Sequence, residues 1–131
     1  MSVALAALEA TIHVRGPKST RAIAIGDFHL LPGNTPQRET VLEPGELITD
    51  VTLPPPVAGS KQVYLKLRDR ASYEFALASA AVVVAIADSN VTRARIALGG
   101  VGTKPWRSPE AETVLAAVPE AGVSPERSAR S

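Results

Sequence analysis

The densest run of side chains able to do chemistry is residues 66–75, KLRDRASYEF, which sets Lys66, Arg68, Arg70, Tyr73, Glu74 and Phe75 on what reads as a connector between two strands. Fixed charges beside aromatic rings, on a loop held by a rigid sheet, suit contact with a cofactor; a plain surface connection is the competing reading. Elsewhere the candidates thin out. His13 and His29 stand in a strand and a loop with no second His, Asp or Glu at ligand spacing, so both read as structural. Glu43, Glu46 and Asp50 gather around a strand, but their spacing imposes no convergent pair, and a solvated face is expected. Gly99-Gly100-Val101-Gly102-Thr103-Lys104 has the composition of a phosphate loop and fails its pattern: the glycine spacing is wrong, Lys104 follows Thr103, and Pro105 interrupts the receiving helix. It reads as a turn at a strand end. Arg93 and Arg95 read as a solvated or interface face, and Arg68, Asp69 and Arg70 as an exposed ion-pair cluster worth little in stability. The chain has no cysteine, which removes disulfides, thiolate metal sites, iron–sulfur ligation and a cysteine nucleophile together. No nucleophile–base or metal constellation remains for an independent enzyme.

The elements that must position these groups lie in residues 61–102, which read as three strands of a short antiparallel meander. In KQVYLKLR, Val63, Leu65 and Leu67 alternate with Tyr64, Lys66 and Arg68, the period of a half-buried strand. Residues 76–87 are small or β-branched on both faces, so this strand is expected to be the most buried. Periodicity alone leaves a buried helix open, and the Val82-Val83-Val84 run favours strand. Asp88-Ser89-Asn90 is a turn by composition, after which VTRARIAL returns with Ala94, Ile96 and Leu98 on one face.

Upstream, residues 2–10 are an Ala- and Leu-rich helix too short to stand alone. Residues 11–15 and 21–25 alternate around Gly16-Pro17-Lys18-Ser19-Thr20, a hairpin signature. A loop punctuated by Pro32, Gly33, Pro36, Pro44 and Gly45 leads to a strand in ELITDVTL, stopped by Pro54-Pro55-Pro56. After the meander, Ser108 and Pro109 are the N-cap and first position of a helix through Val118, with Glu110 and Glu112 at its positive end. The tail PEAGVSPERSARS lacks period and apolar residues and is expected to be disordered. The division expected is 1–45, a helix, hairpin and connecting loop; 46–118, the meander unit; and 119–131, the tail. With 45% apolar residues, 21% charged residues and a formal net charge of +1, the 131-residue chain gives no reason to expect nucleic acid or an anionic membrane. The apolar opening lacks a basic leader and carries Glu9, so the protein reads as soluble.

Three stretches in this order, GELITDVTLP, YLKLRDRASYEFALASAAVVV and ARIALGGVGTKPWR, closely resemble the FAD-binding (medium) subunit of the molybdenum hydroxylases, the family of xanthine dehydrogenase, carbon monoxide dehydrogenase and aldehyde oxidoreductase. The wording RDRASYEFA is most similar to the aldehyde-oxidoreductase branch. The resemblance implies an α+β piece: a short antiparallel β-meander with a flanking helix, preceded by the last helix and hairpin of an FAD-binding α/β domain, and truncated at both ends. It implies FAD as cofactor in the complete subunit, with molybdopterin and [2Fe-2S] clusters only on a large and a small partner subunit, and no catalytic residue or metal ligand on this chain. Electrons would pass from the iron–sulfur clusters through FAD to an external acceptor. Carried over by position, Leu47 and Ile48 of GELI line the FAD site, Lys66 approaches the cofactor, and Tyr73, Glu74 and Phe75 lie against the isoalloxazine. Nearby charge and an apolar cover would tune and shield the ring. A non-catalytic docking module and a remnant without activity are the alternatives, and bacterial cytoplasm and periplasm both stay open.

Overall fold

Alanines at one end of the chain and alternating strands along the rest build two antiparallel sheets that meet through one short helix. The computed structural model describes residues 1–70 and 73–117. The elements are α1 (Ser2–Ala7), β1 (Thr11–Arg15), β2 (Thr20–Ala24), α2 (Ile25–Phe28), β3 (Leu47–Thr52), β4 (Ser60–Leu67), β5 (Ala78–Ala87), β6 (Asn90–Gly99), β7 (Trp106–Arg107) and α3 (Pro109–Ala116). The first sheet has the order β2-β1-β3 and the second β4-β5-β6-β7, all neighbours antiparallel. The architecture is α+β.

The hairpin β1–β2 closes through Gly16, whose amide donates to the Ser19 carbonyl at 2.8 Å. The residues between β2 and β3 were expected to be plain loop. Instead, Ile25 leaves the strand and opens the one-turn α2, and the chain folds back so that Val41 N donates to Phe28 O at 3.0 Å and Leu30 N to Glu39 O at 2.9 Å. The apolar pair Ile25 and Phe28 drives this by burying itself against Ile12, Val14 and Ile23. β3 was expected to head the meander unit, but it is hydrogen-bonded to β1, with Ile12 opposite Val51 and Val14 opposite Ile48. The passage between the sheets is therefore residues 53–59, where the three consecutive prolines cannot donate to a ladder.

In the second sheet, β5 and β6 turn through two residues, Asp88 at φ 50° and Ser89 at φ 58°, between the paired Ala87 and Asn90. Both central φ values are positive, as a tight hairpin turn matching the strand twist demands, and Asn90 Nδ2 donates to the Asp88 carbonyl at 2.9 Å. Register puts Val63, Val82 and Ile96 on one face, and Tyr64, Ala81 and Ala97 on the other. α1 lies on the second of these faces. Ala6, Ala7 and Ala10 join Ala81 and Ala97 in a single core with the first sheet, and a Cβ at Gly99 would come 2.5 Å from Val3 Cγ2. Small side chains on both sides permit that approach.

Two expectations about burial fail. β4 is not half-buried: Val63, Leu65 and Leu67 are 53%, 63% and 65% exposed, because nothing among the described residues packs on their end of that face. β5 is not the most buried strand. β6 has four buried residues, Val91, Ala94, Ala97 and Gly99, against two on β5, Ala81 and Ala85, since α1, β7 and α3 all gather on β6. At the far end Ser108 accepts from Ala111 N at 3.4 Å, Pro109 begins α3, and Glu110 and Glu112 sit in its first turn, as expected. Val118 and the expected disordered tail 119–131 lie outside the described residues.

Candidate functional site

The end of β4 and the connector that follows it bring four of the six expected cofactor residues together. Leu67 is the last paired residue, opposite Ala78, and Leu77 N donates to Leu67 O at 3.0 Å, which closes the base of the connector. Lys66 Nζ reaches across that loop and donates to the backbone carbonyl of Glu74 at 2.7 Å. The Glu74 carboxylate turns back to accept from Arg70 N at 2.7 Å. With Glu74 spent on holding the loop, Tyr73 and Phe75 are left fully presented, at 102% and 95% exposure. Tyr73 itself sits at φ 58°, a conformation that L side chains adopt at a cost of about 1–2 kcal/mol. Lys66, Tyr73, Glu74 and Phe75 line an open hollow of about 440 Å³. Two aromatic faces and an ammonium with further N–H donors can stack on a planar heteroaromatic ring and donate to its acceptors.

Leu47 and Ile48 lie on β3, in the other sheet, and line no part of this hollow. They are adjacent strand residues, opposite the exposed Arg15 and the buried Val14, so their side chains leave opposite faces. A ligand on one side of β3 meets one of the pair. Both are exposed, at 73% and 47%.

The remaining polar candidates find partners. His13 Nε2 is 2.8 Å from Thr52 Oγ1 and 3.8 Å from Asp50 Oδ2 on the outer face of the first sheet, and the His29 ring stands edge-on to Phe28 at 5.2 Å. No group of three His, Cys, Asp or Glu side chains able to hold a metal exists among the described residues. Glu46, expected on a solvated face, is instead clasped by Arg21 at 2.9 and 2.6 Å and accepts from Glu43 N at 2.7 Å. The hydrogen bond from Arg21, then that from Glu43 N, holds the Glu46 carboxyl below the ordinary carboxylate value. Arg38 pairs with Glu43.

Of the two readings of Arg93 and Arg95, a solvated or an interface face, the structure shows an interface, formed within the chain. Glu9, just beyond α1, takes Arg93 Nη2 at 2.6 Å, lies 2.7 Å from Arg95 Nε, and has Arg107 Nη1 at 3.5 Å. Arg107 in turn forks onto Glu112 at 2.6 and 2.7 Å, and Glu112 also accepts from Ile96 N at 2.9 Å. Burial opposes the charge on Glu9, but the hydrogen bonds and charges of Arg95 and Arg93 outweigh it and lower its pKa. The same balance, with Arg107 and Ile96 N as the favourable partners, lowers Glu112. Nothing in the local sequence around Glu9 announces this network. Its only trace is the spacing of Arg93 and Arg95, which places both on one side of a strand.

Known proteins place the fold first. Reconstituted CO dehydrogenase from Oligotropha carboxidovorans contains a chain that superimposes with TM-score 0.80 at 30% identity, over 90% of this chain and 39% of that one. Quinoline 2-oxidoreductase from Pseudomonas putida 86 matches with TM-score 0.72 at 27% identity. This is the architecture of part of a CO dehydrogenase-type chain. Two family models then divide the sequence: residues 1–56 match the FAD binding domain in molybdopterin dehydrogenase, and residues 61–119 the CO dehydrogenase flavoprotein C-terminal domain. The chain belongs to the family of FAD-binding medium subunits of the molybdenum hydroxylases. The aldehyde oxidoreductase FAD-binding subunit PaoB of Escherichia coli is 49% identical over 116 residues, which is 88% of this chain and 35% of that subunit. The glyceraldehyde dehydrogenase medium chain of Sulfolobus acidocaldarius is 35% identical over 112 residues, 86% of this chain and 37% of that one. The chain thus spans little more than a third of the relatives it matches.

Proposed function

We propose that this chain is part of the FAD-binding subunit of a molybdopterin-dependent oxidoreductase, of aldehyde- or xanthine-dehydrogenase type, and helps position FAD for electron transfer from iron–sulfur clusters to an external acceptor. The observation that carries the reading is the hollow at the end of β4, where Lys66 pins the connector so that Tyr73 and Phe75 face outward. Its size and chemistry fit a flavin ring: aromatic faces for stacking, an ammonium for acceptor atoms, and no buried charge that would repel an apolar edge. FAD, when bound, supplies the redox chemistry. The chain's part is to cover the ring, exclude water with Tyr73 and Phe75, and hold the Lys66 charge beside it; Glu74 holds the loop, and one of Leu47 and Ile48 adds apolar cover from β3. Molybdopterin and [2Fe-2S] clusters belong, in this reading, to a large and a small partner subunit. The name of the 49% identical Escherichia coli protein supports an aldehyde-oxidising complex.

A docking role without flavin is the second reading, favoured by the exposed Val63, Leu65 and Leu67 on one face of β4. Co-expression with molybdopterin-binding and iron–sulfur subunits separates the two. Flavin absorbance in the co-purified complex, diminished by Phe75→Ala, is the expected result. A complex that forms without flavin favours docking instead.

A further inference from the structure

We propose that Glu9 is an orienting latch, a single carboxylate that sets the angle between the first sheet and the meander by gripping Arg93, Arg95 and Arg107. The latch is built from this chain's own residues and acts whether or not flavin binds.

Packing between the two sheets runs chiefly through α1, which lies on β5, β6 and β7. The buried residues around it at that contact are small, Ala6, Ala7 and Ala10 against Ala81 and Ala97, with Val3 seated over Gly99 at the start of the helix. Alanine faces allow close approach but interlock little, so they resist sliding and rotation weakly. Directional bonds add register to this contact, and all but one of the described ones end on Glu9. Its Oε2 accepts from Arg93 at 2.6 Å and from Arg95 Nη2 at 3.2 Å, while Oε1 faces Arg95 Nε at 2.7 Å and Arg107 at 3.5 Å. The partners are 84 to 98 residues away along the chain, on β6 and β7, so each bond spans the two units. Arg107 also donates to the Ala6 carbonyl at 3.4 Å, tying the same guanidinium to the end of α1.

Glu9 is the left-handed residue at which α1 stops. Glu9 occupies φ 55°, where a non-glycine residue is strained, and the bend closes α1 with Ala10 N donating to Leu5 O at 3.0 Å. Arg107 is held from behind by Glu112, whose carboxylate is fixed in turn by Ile96 N. His29 and Lys104 share a cleft of about 230 Å³ with Glu9 and Arg107.

The absence of cysteine allows a clean test. Spin labels on Thr20→Cys at the start of β2 and Lys61→Cys on β4, both exposed, report the distance between the sheets by pulsed dipolar spectroscopy on the full 131-residue chain. The expected result is one narrow distance in the parent and a broadened, shifted distribution in Glu9→Gln, with far-ultraviolet circular dichroism and a cooperative melt retained. Arg38→Gln, which removes the separate pair with Glu43, should leave the width unchanged. A folded Glu9→Gln chain with the parent's distribution overturns the proposal. Should Glu9→Gln fail to fold, Arg93→Gln removes one arm only; broadening there supports the latch, and an unchanged distribution overturns it.

Discussion

At the scale of single residues, backbone conformation and charge make separable demands. Gly100 sits at φ +80° with its would-be Cβ 2.4 Å from the Leu77 carbonyl oxygen, so Gly100→Ala adds left-handed strain to a backbone collision. A loss of about 2 kcal/mol or more is expected in a urea titration, and the meander's closing turn should shift with it. The carboxylates Glu9 and Glu112 act by charge. Burial disfavours each, the facing arginines win, and both folded pKa values fall below the ordinary 4.5. A lowered folded value contributes stability that is complete above the unfolded pKa and disappears as pH drops through the folded one. The urea midpoint should therefore hold steady from neutral pH to about 5 and decline below 4.5; a midpoint that rises on acidification would contradict the pairing. Glu112→Gln keeps an acceptor for Ile96 N but loses the charge that holds Arg107, and should cost about 1–2 kcal/mol.

At the scale of elements, hairpins and caps were legible from local chemistry, and pairing over distance was not. Gly16-Pro17-Lys18-Ser19 and Asp88-Ser89 announce turns because their residues tolerate or impose the turn conformations. Ser108-Pro109 announces α3 for the same reason. β3 was visible as a strand, but its alternation is equally compatible with either sheet, and the choice of β1 as partner rests on Ile12 and Val14 needing Val51 and Ile48 beside them. Ile25 looked like the last residue of β2 because its period continues the strand; burial with Phe28 pulled it into α2. The turn between β5 and β6 offers an element-level test. Ser89 at φ 58° carries strain that glycine would not, so Ser89→Gly should raise stability by about 1 kcal/mol, read as a higher melting temperature. No change would mean that this hairpin turn is relaxed as it stands.

At the scale of the whole molecule, two sheets share one small core, and a large apolar area stays in water. Val63, Leu65 and Leu67 alternate as a buried strand would, which is why the sequence reads them as half-buried; which part of a sheet face is covered is decided by what packs there, and the alternation is silent on that. Such a face favours self-association, so Leu65→Lys should lower the sedimentation coefficient at high concentration without changing the melt. The cofactor residues divide along the same lines. The connector holding Lys66, Tyr73, Glu74 and Phe75 was readable from composition, whereas the hydrogen bonds that aim it, and the placement of Leu47 and Ile48 on opposite faces of another strand, depend on register. A flavin ring should meet this chain at the hollow lined by Lys66, Tyr73, Glu74 and Phe75. Quenching of FAD fluorescence on titration with the chain, beside Phe75→Ala, tests it most directly. Four lining residues in an open hollow offer limited contact, so saturable quenching weaker than about 1 µM is expected, with Phe75→Ala abolishing it. Quenching that never saturates, or that Phe75→Ala leaves intact, would mean that no flavin site forms here.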